Sequence, residues 1–155
     1  NSMVTFALIG AALVVITVIM HAIGTTAWLR VLGRRYGDGE GGVRPGKTLQ
    51  VLIGTVLVLL VLHTLQIVVW AWSYLFIVPA GELDTFEEAT YFSFVTFTTL
   101  GYGDITLSEG WRLLSGIQAL NGIMLVGWST AMLFAVVQRT WQGMADKLRG
   151  SAASE

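Results

Sequence analysis

The sequence predicts an all-α membrane protein with three transmembrane helices and one re-entrant helix, on three observations. Of its 155 residues 54% are hydrophobic and 12% charged, with a mean hydropathy of +0.69, well outside the range of soluble domains. Asp, Glu, Lys and Arg are absent from residues 3–29, 48–81 and 113–138, and each window exceeds the ~20 residues a spanning helix needs. A fourth apolar stretch, 89–103, is too short to cross a hydrocarbon core of about 30 Å as a helix. It is expected to be re-entrant, and irregular backbone at that depth must line a protein-walled cavity.

The first window has no basic leader and outruns the roughly 7–15-residue apolar core of a secretory signal, so it is expected to persist as a helix. The connector that follows holds Arg30, Arg34, Arg35, Arg44 and Lys47 and a glycine-rich run at 37–42, which predicts a flexible loop. Asp38 and Glu40 within it are weak candidates for metal ligands, and the glycines lack the signature of a phosphate cradle. Arg139, Lys147 and Arg149 follow the third window, whereas residues 81–111 hold Glu82, Asp84, Glu87, Glu88, Asp104 and Glu109 and no basic residue. By the positive-inside rule the connector and the C-terminus are expected in the cytoplasm, with the N-terminus and the acidic segment outside. The chain has no cysteine, which removes disulfides and thiolate metal sites. Trp70, Trp72, Tyr74 and Trp111 are expected near the outer interface and Trp28 and Trp141 near the inner one; Trp128 falls mid-span.

The re-entrant segment can be read residue by residue. Thr85 precedes Glu88 by three residues, and Asp84 precedes Glu87 in the same pattern, a capping signal that predicts a helix from about Phe86 to Phe97. Its C-terminal end would present a partial negative charge to the middle of the membrane and favour a cation. Residues 98–104 then read Thr-Thr-Leu-Gly-Tyr-Gly-Asp. Glycine at every second position permits the backbone angles that turn successive carbonyls the same way.

This run, behind a capped helix and between two spans, resembles the selectivity filter of the potassium channel pore-domain family. The likeness covers residues 48–141 in the order outer helix, pore helix, filter and inner helix, with an added N-terminal helix and basic loop at 1–47 and a short cytoplasmic tail at 142–155. It implies K+ as the permeant ion, bound by Thr99, Leu100, Gly101, Tyr102 and Gly103, and a homotetramer in the lipid bilayer of the plasma membrane, since a ring of ligands needs about four such strands. Thr98, Val95, Tyr91 and Asp104 are implied as filter support, with Tyr91 reaching Asp104. Leu100 replaces the commoner valine or isoleucine and keeps an apolar side chain. Val95 replaces a glutamate that couples to the filter aspartate in one bacterial member, so inactivation through that pair is not implied.

The same resemblance makes the third span the inner helix. Gly122, 19 residues beyond Gly103, falls at the family's gating hinge and Gly127 gives a second point of backbone freedom; close helix packing is the other reading of both, and the one favoured for Gly127. Ile123, Val126, Thr130 and Phe134 share one helical face, implied to line the cavity, with Phe134 as a hydrophobic gate. Within the spans, His63 and Gln66 lie at the depth of Asn121, which predicts an inter-helix hydrogen bond. His21 and His63 are either pH-sensitive groups or neutral imidazoles packed between helices. No span repeats the arginines of a voltage sensor. The expected protein is a passive channel, not an enzyme, without cofactor or nucleic-acid partner; a weakly selective cation channel and a non-conducting structural or sensor subunit remain open alternatives, as does a regulatory partner.

Overall fold

A computed structural model of the chain describes residues 2–37, 39, 42–44 and 46–152. Four helices follow one another, α1 (Ser2–Tyr36), α2 (Thr48–Ile77), α3 (Phe86–Phe97) and α4 (Arg112–Ala152), and no strand occurs among the described residues. Stretches Val4–Tyr36, Thr48–Ile77 and Arg112–Gln142 are long and apolar enough to cross a membrane, and α3, at 12 residues, is not. Arg34 and Arg35 fall in the last turn of α1 rather than in a loop, where a positive charge favours the helix C-terminus. The connector is thereby reduced to residues 37–47. Asp38 and Glu40 lie outside the described residues. α2 stops at Ile77, four residues short of its charge-free window, because Pro79 and the turn at Gly81 (φ 94°) follow. α4 continues to Ala152, so the expected tail at 142–155 is helical over most of its length.

The helices contribute to two compact units. One comprises Asn1–Ala22 and Leu62–Gly127. Its core gathers Trp70 and Tyr74 of α2, Phe92 and Phe97 of α3, and Leu114 and Leu125 of α4, with Leu13 of α1. Tyr74 meets Phe92 edge-on at 5.2 Å between ring centroids. Trp70 and Tyr74, expected at the outer interface, are instead fully buried. Depth along a helix suits an aromatic ring to the interface, but the face it occupies decides whether it gets there, and here that face meets α3 and α4. α1 docks closely: a Cβ at Gly10 would lie 2.7 Å from the Ile117 side chain, and the Phe6 and Trp111 rings are 4.4 Å apart.

The other unit comprises Ile23–Val61 and Trp128–Glu155. Leu32, Val43, Val51 and Val136 are buried together, with Trp28, Tyr36 and Leu52 packed on them. Trp28 lies across Gly54, where a Cβ would sit 3.1 Å from the ring, and its Nε1 donates to Thr55 Oγ1 at 3.0 Å. The connector closes through Arg44, whose backbone N–H donates to the Tyr36 carbonyl at 3.0 Å and whose Nε donates to the Gly37 carbonyl at the same distance.

Candidate functional site

The site begins with the start of α3. Thr85 is its N-cap: the Glu88 N–H donates to Thr85 Oγ1 and the Thr85 N–H donates to Glu88 Oε2, both at 3.1 Å. This closes the capping box, and Glu87 and Glu88 in the first turn complement the positive end of the helix. Asp84 serves the preceding turn instead, accepting from the Gly81 N–H at 2.6 Å. Glu82 holds the far side of the segment, accepting from the Ser108 N–H at 2.9 Å. Twelve residues give α3 a length of about 18 Å.

At its other end the chain reverses. The Thr98 N–H donates to the Phe94 carbonyl at 3.1 Å, and the Thr98 hydroxyl donates to that same oxygen at 2.7 Å. The Thr99 N–H then donates to the Thr96 carbonyl at 3.0 Å, and the Gly101 N–H reaches back to the carbonyl of buried Val95 at 3.2 Å. Thr99, Gly101 and Gly103 have φ of 59°, 55° and 78°, whereas Leu100 and Tyr102 between them do not enter the positive region. Alternating handedness brings successive N–H groups to one side of the strand and successive carbonyls to the other. Thr99 is the one non-glycine residue with positive φ among those described. A β-branched residue there costs about 1–3 kcal/mol, which the bonds to α3 must offset. Strain of this kind, concentrated in one short run of backbone, is what a binding site stores.

Asp104 ends the strand and accepts from Tyr91 Oη at 2.7 Å, so the outer end of the segment is tied to α3. That hydroxyl stabilises the charged carboxylate and holds Asp104 below the usual carboxylate range. The side chains of Leu100 and Tyr102 are 55% and 67% exposed, so the chain's own helices leave them uncovered.

α4 meets the other end of the segment. A Cβ at Gly122 would run into the Phe97 carbonyl oxygen, so glycine is required by direct backbone contact. α4 runs unbroken through this point, and the contact accounts for Gly122 without a bend. Gly127, expected to pack closely, has no atom within 4 Å of its would-be Cβ. Ile123 and Val126 are exposed on α4 away from that contact; Thr130 and Phe134, in the other unit, are exposed as well. Two residues to which the sequence assigned no part in the site also hold α3: Tyr74 Oη donates to Gln118 Oε1 at 2.8 Å, and Gln118 Nε2 donates to the Ser93 carbonyl at 3.4 Å. A glutamine inside a charge-free span was the available signal.

His63 and Gln66 do not bond Asn121 directly. Asn121 Nδ2 donates to Thr17 Oγ1 at 2.8 Å, and Gln66 Nε2 donates to the Thr17 carbonyl at 3.3 Å, so α1 provides the joint between α2 and α4.

A family model described as an ion channel matches residues 62–139, about half of the chain. No curated protein and no solved structure matches the sequence. The matched stretch takes in α3, the strained segment after it and the contact of Gly122 on Phe97, together with the second half of α2 and most of α4. The chain is thus an integral membrane protein belonging to the ion channel family of two-helix pores.

Proposed function

We propose that four copies of this chain form a potassium-selective channel that conducts K+ passively between the carbonyls of residues 99–103. The observation that carries the reading is the alternation of backbone handedness at Thr99, Gly101 and Gly103, at the C-terminal end of a helix aimed toward the same segment. Rings of oxygens replace the water shell of a dehydrated ion, and the negative end of α3 lowers the cost of bringing a cation there. One strand supplies one oxygen per level, so four strands around an axis are needed. Exposure of Leu100, Tyr102, Ile123 and Val126 in the single chain supports a neighbouring copy or a central cavity against those surfaces. Ile123, Val126 and Thr130 would line that cavity and Phe134 would narrow its inner end. The loop charges support an outward-opening filter.

The test is ion flux into liposomes holding the purified protein, with K+ and with Na+ as the driven ion, for the natural chain and for Gly103→Val. A β-branched residue at φ 78° should disrupt the strand. K+ flux that Na+ does not replace, lost in the variant, is expected. Equal K+ and Na+ flux would make the protein a weakly selective cation channel. No flux from a verified tetramer would make it a structural or sensor subunit.

A further inference from the structure

The filter-bearing unit contains one polar cluster that ion coordination does not use: Thr17 and His21 of α1, His63 and Gln66 of α2, and Asn121 of α4. Hydrogen-bond chemistry fixes its protonation. The Thr17 carbonyl can only accept, so the Gln66 atom 3.3 Å from it is the donor end of the amide. The same Nε2 lies 3.1 Å from His21 Nδ1, which must therefore be an unprotonated acceptor. Gln66 Oε1 lies 3.1 Å from His63 Nδ1, which must carry a proton. The two imidazoles stack with ring centroids 5.4 Å apart.

An added proton has no place in this arrangement. On His21 it would set Nδ1–H against the Gln66 N–H, and turning the amide over would set Oε1 against the Thr17 carbonyl. On either ring it would add a positive charge among helices that carry no carboxylate at this depth. α1, α2 and α4 as far as residue 142 carry no carboxylate, α4 contributes the neutral Asn121, and α3 contributes Phe97, its Glu87 and Glu88 lying in the opposite first turn. The titratable groups that face the pair are therefore each other.

The cluster reaches the end of the pore helix by two routes. The His63 ring centroid is 5.8 Å from that of Phe97, and Asn121 precedes Gly122, whose backbone abuts the Phe97 carbonyl. Phe97 is the last residue of α3, two before the strained Thr99. We propose that the cluster of Thr17, His21, His63, Gln66 and Asn121 positions the C-terminal end of α3, and that protonating its imidazoles loosens this end and lowers ion flux. Positive charge beside that helix end also opposes the partial negative charge that favours the permeant cation. The flux readout rests on the channel reading; the positioning does not.

The chain has two histidines, so 15N-histidine NMR of the detergent-solubilised protein resolves each one. At neutral pH, His21 Nδ1 is expected bare and His63 Nδ1 protonated. Acidification from about pH 7 to about pH 4 should protonate the pair and shift the Phe97 amide with it. In liposomes K+ flux should fall by about fivefold or more over that range. The double variant His21→Asn, His63→Asn, which supplies an amide acceptor and donor at the δ positions and cannot titrate, should keep the neutral-pH flux and lose the acid dependence. Reversed tautomers, imidazoles that stay neutral throughout, a Phe97 signal that ignores their titration, or acid dependence that survives in the double variant would each overturn the proposal. Should the double variant fail to assemble, the natural chain's tautomers and Phe97 titration decide it. If the natural chain passes no ion at any pH, the channel reading fails while the same spectra still test the positioning.

Discussion

The two units of the chain are held by different forces. In the unit that carries α3 and residues 98–104, buried polar side chains bond across helices: Tyr74 to Gln118, Gln118 to the Ser93 carbonyl, Gln66 to His21 and Thr17, and Asn121 to Thr17. In the unit that carries Trp28 and Val136, Thr55 and Thr140 donate to carbonyls of their own helices, and Trp28 donates to Thr55 from α1 to α2. Directional bonds fix rotation and register, whereas apolar packing tolerates sliding. A row of carbonyls proposed to match one ion's radius would require the first kind of support. The stretch of α4 with Thr130 and Phe134, the proposed gate, lies in the other unit.

The comparison breaks most readily at the glycines. Gly101→Val places a β-branched residue at φ 55° in every strand of the ring, and K+ flux should drop by about a hundredfold or more, as about 1–2 kcal/mol per strand accumulates. Gly122→Ala drives a Cβ into the Phe97 carbonyl, a backbone atom that cannot swing aside. It should lower the thermal stability of the assembled protein by about 1–3 kcal/mol and flux by about tenfold or more. In the other unit, Gly54→Ala meets only the edge of the Trp28 ring. Ring displacement should limit its cost to about 1 kcal/mol with flux unchanged, as read by the same melting and flux assays. Equal losses from Gly122→Ala and Gly54→Ala would erase the distinction between the units.

Much of this arrangement was legible in the sequence. Charge-free windows located all three long helices, and Thr85 with Glu88 located the start of α3 because a capping box is a local signal. The spacing of Gly101 and Gly103 showed where left-handed backbone was needed, but the same conformation at Thr99 was hidden, since tertiary bonds impose it on a residue that disfavours it. The close backbone contact falls at Gly122 and not at Gly127: a sequence shows that a glycine is present, not which neighbour requires it. Thr17 was overlooked as a joint between helices because a threonine in a span ordinarily bonds its own helix, as this one also does to the Leu13 carbonyl. Its second use depends on helix rotation, which residue spacing within one helix cannot supply.

Smaller effects sharpen the comparison. Gln118→Leu leaves the Tyr74 hydroxyl buried without its acceptor, and should cost about 1–2 kcal/mol in melting experiments. Tyr91→Phe removes the donor to Asp104, an exposed pair, so little stability should change at neutral pH. Its signature is in acid. The carboxyl is held below its usual range, so any stabilisation from this bond is complete above the ordinary carboxylate pKa and is lost as pH falls through the depressed one. In Tyr91→Phe, the Asp104 carboxyl followed by 13C NMR should titrate at higher pH than in the natural chain.

The most direct measurement is anomalous diffraction from crystals of the assembled protein grown with Rb+ in place of K+. Anomalous peaks in a line on a four-fold axis, each ringed by carbonyl oxygens of residues 99–103 from four chains, are the expected result. An assembly without that axis, or an axis with no ion between those carbonyls, would contradict the filter on which this reading of the chain depends.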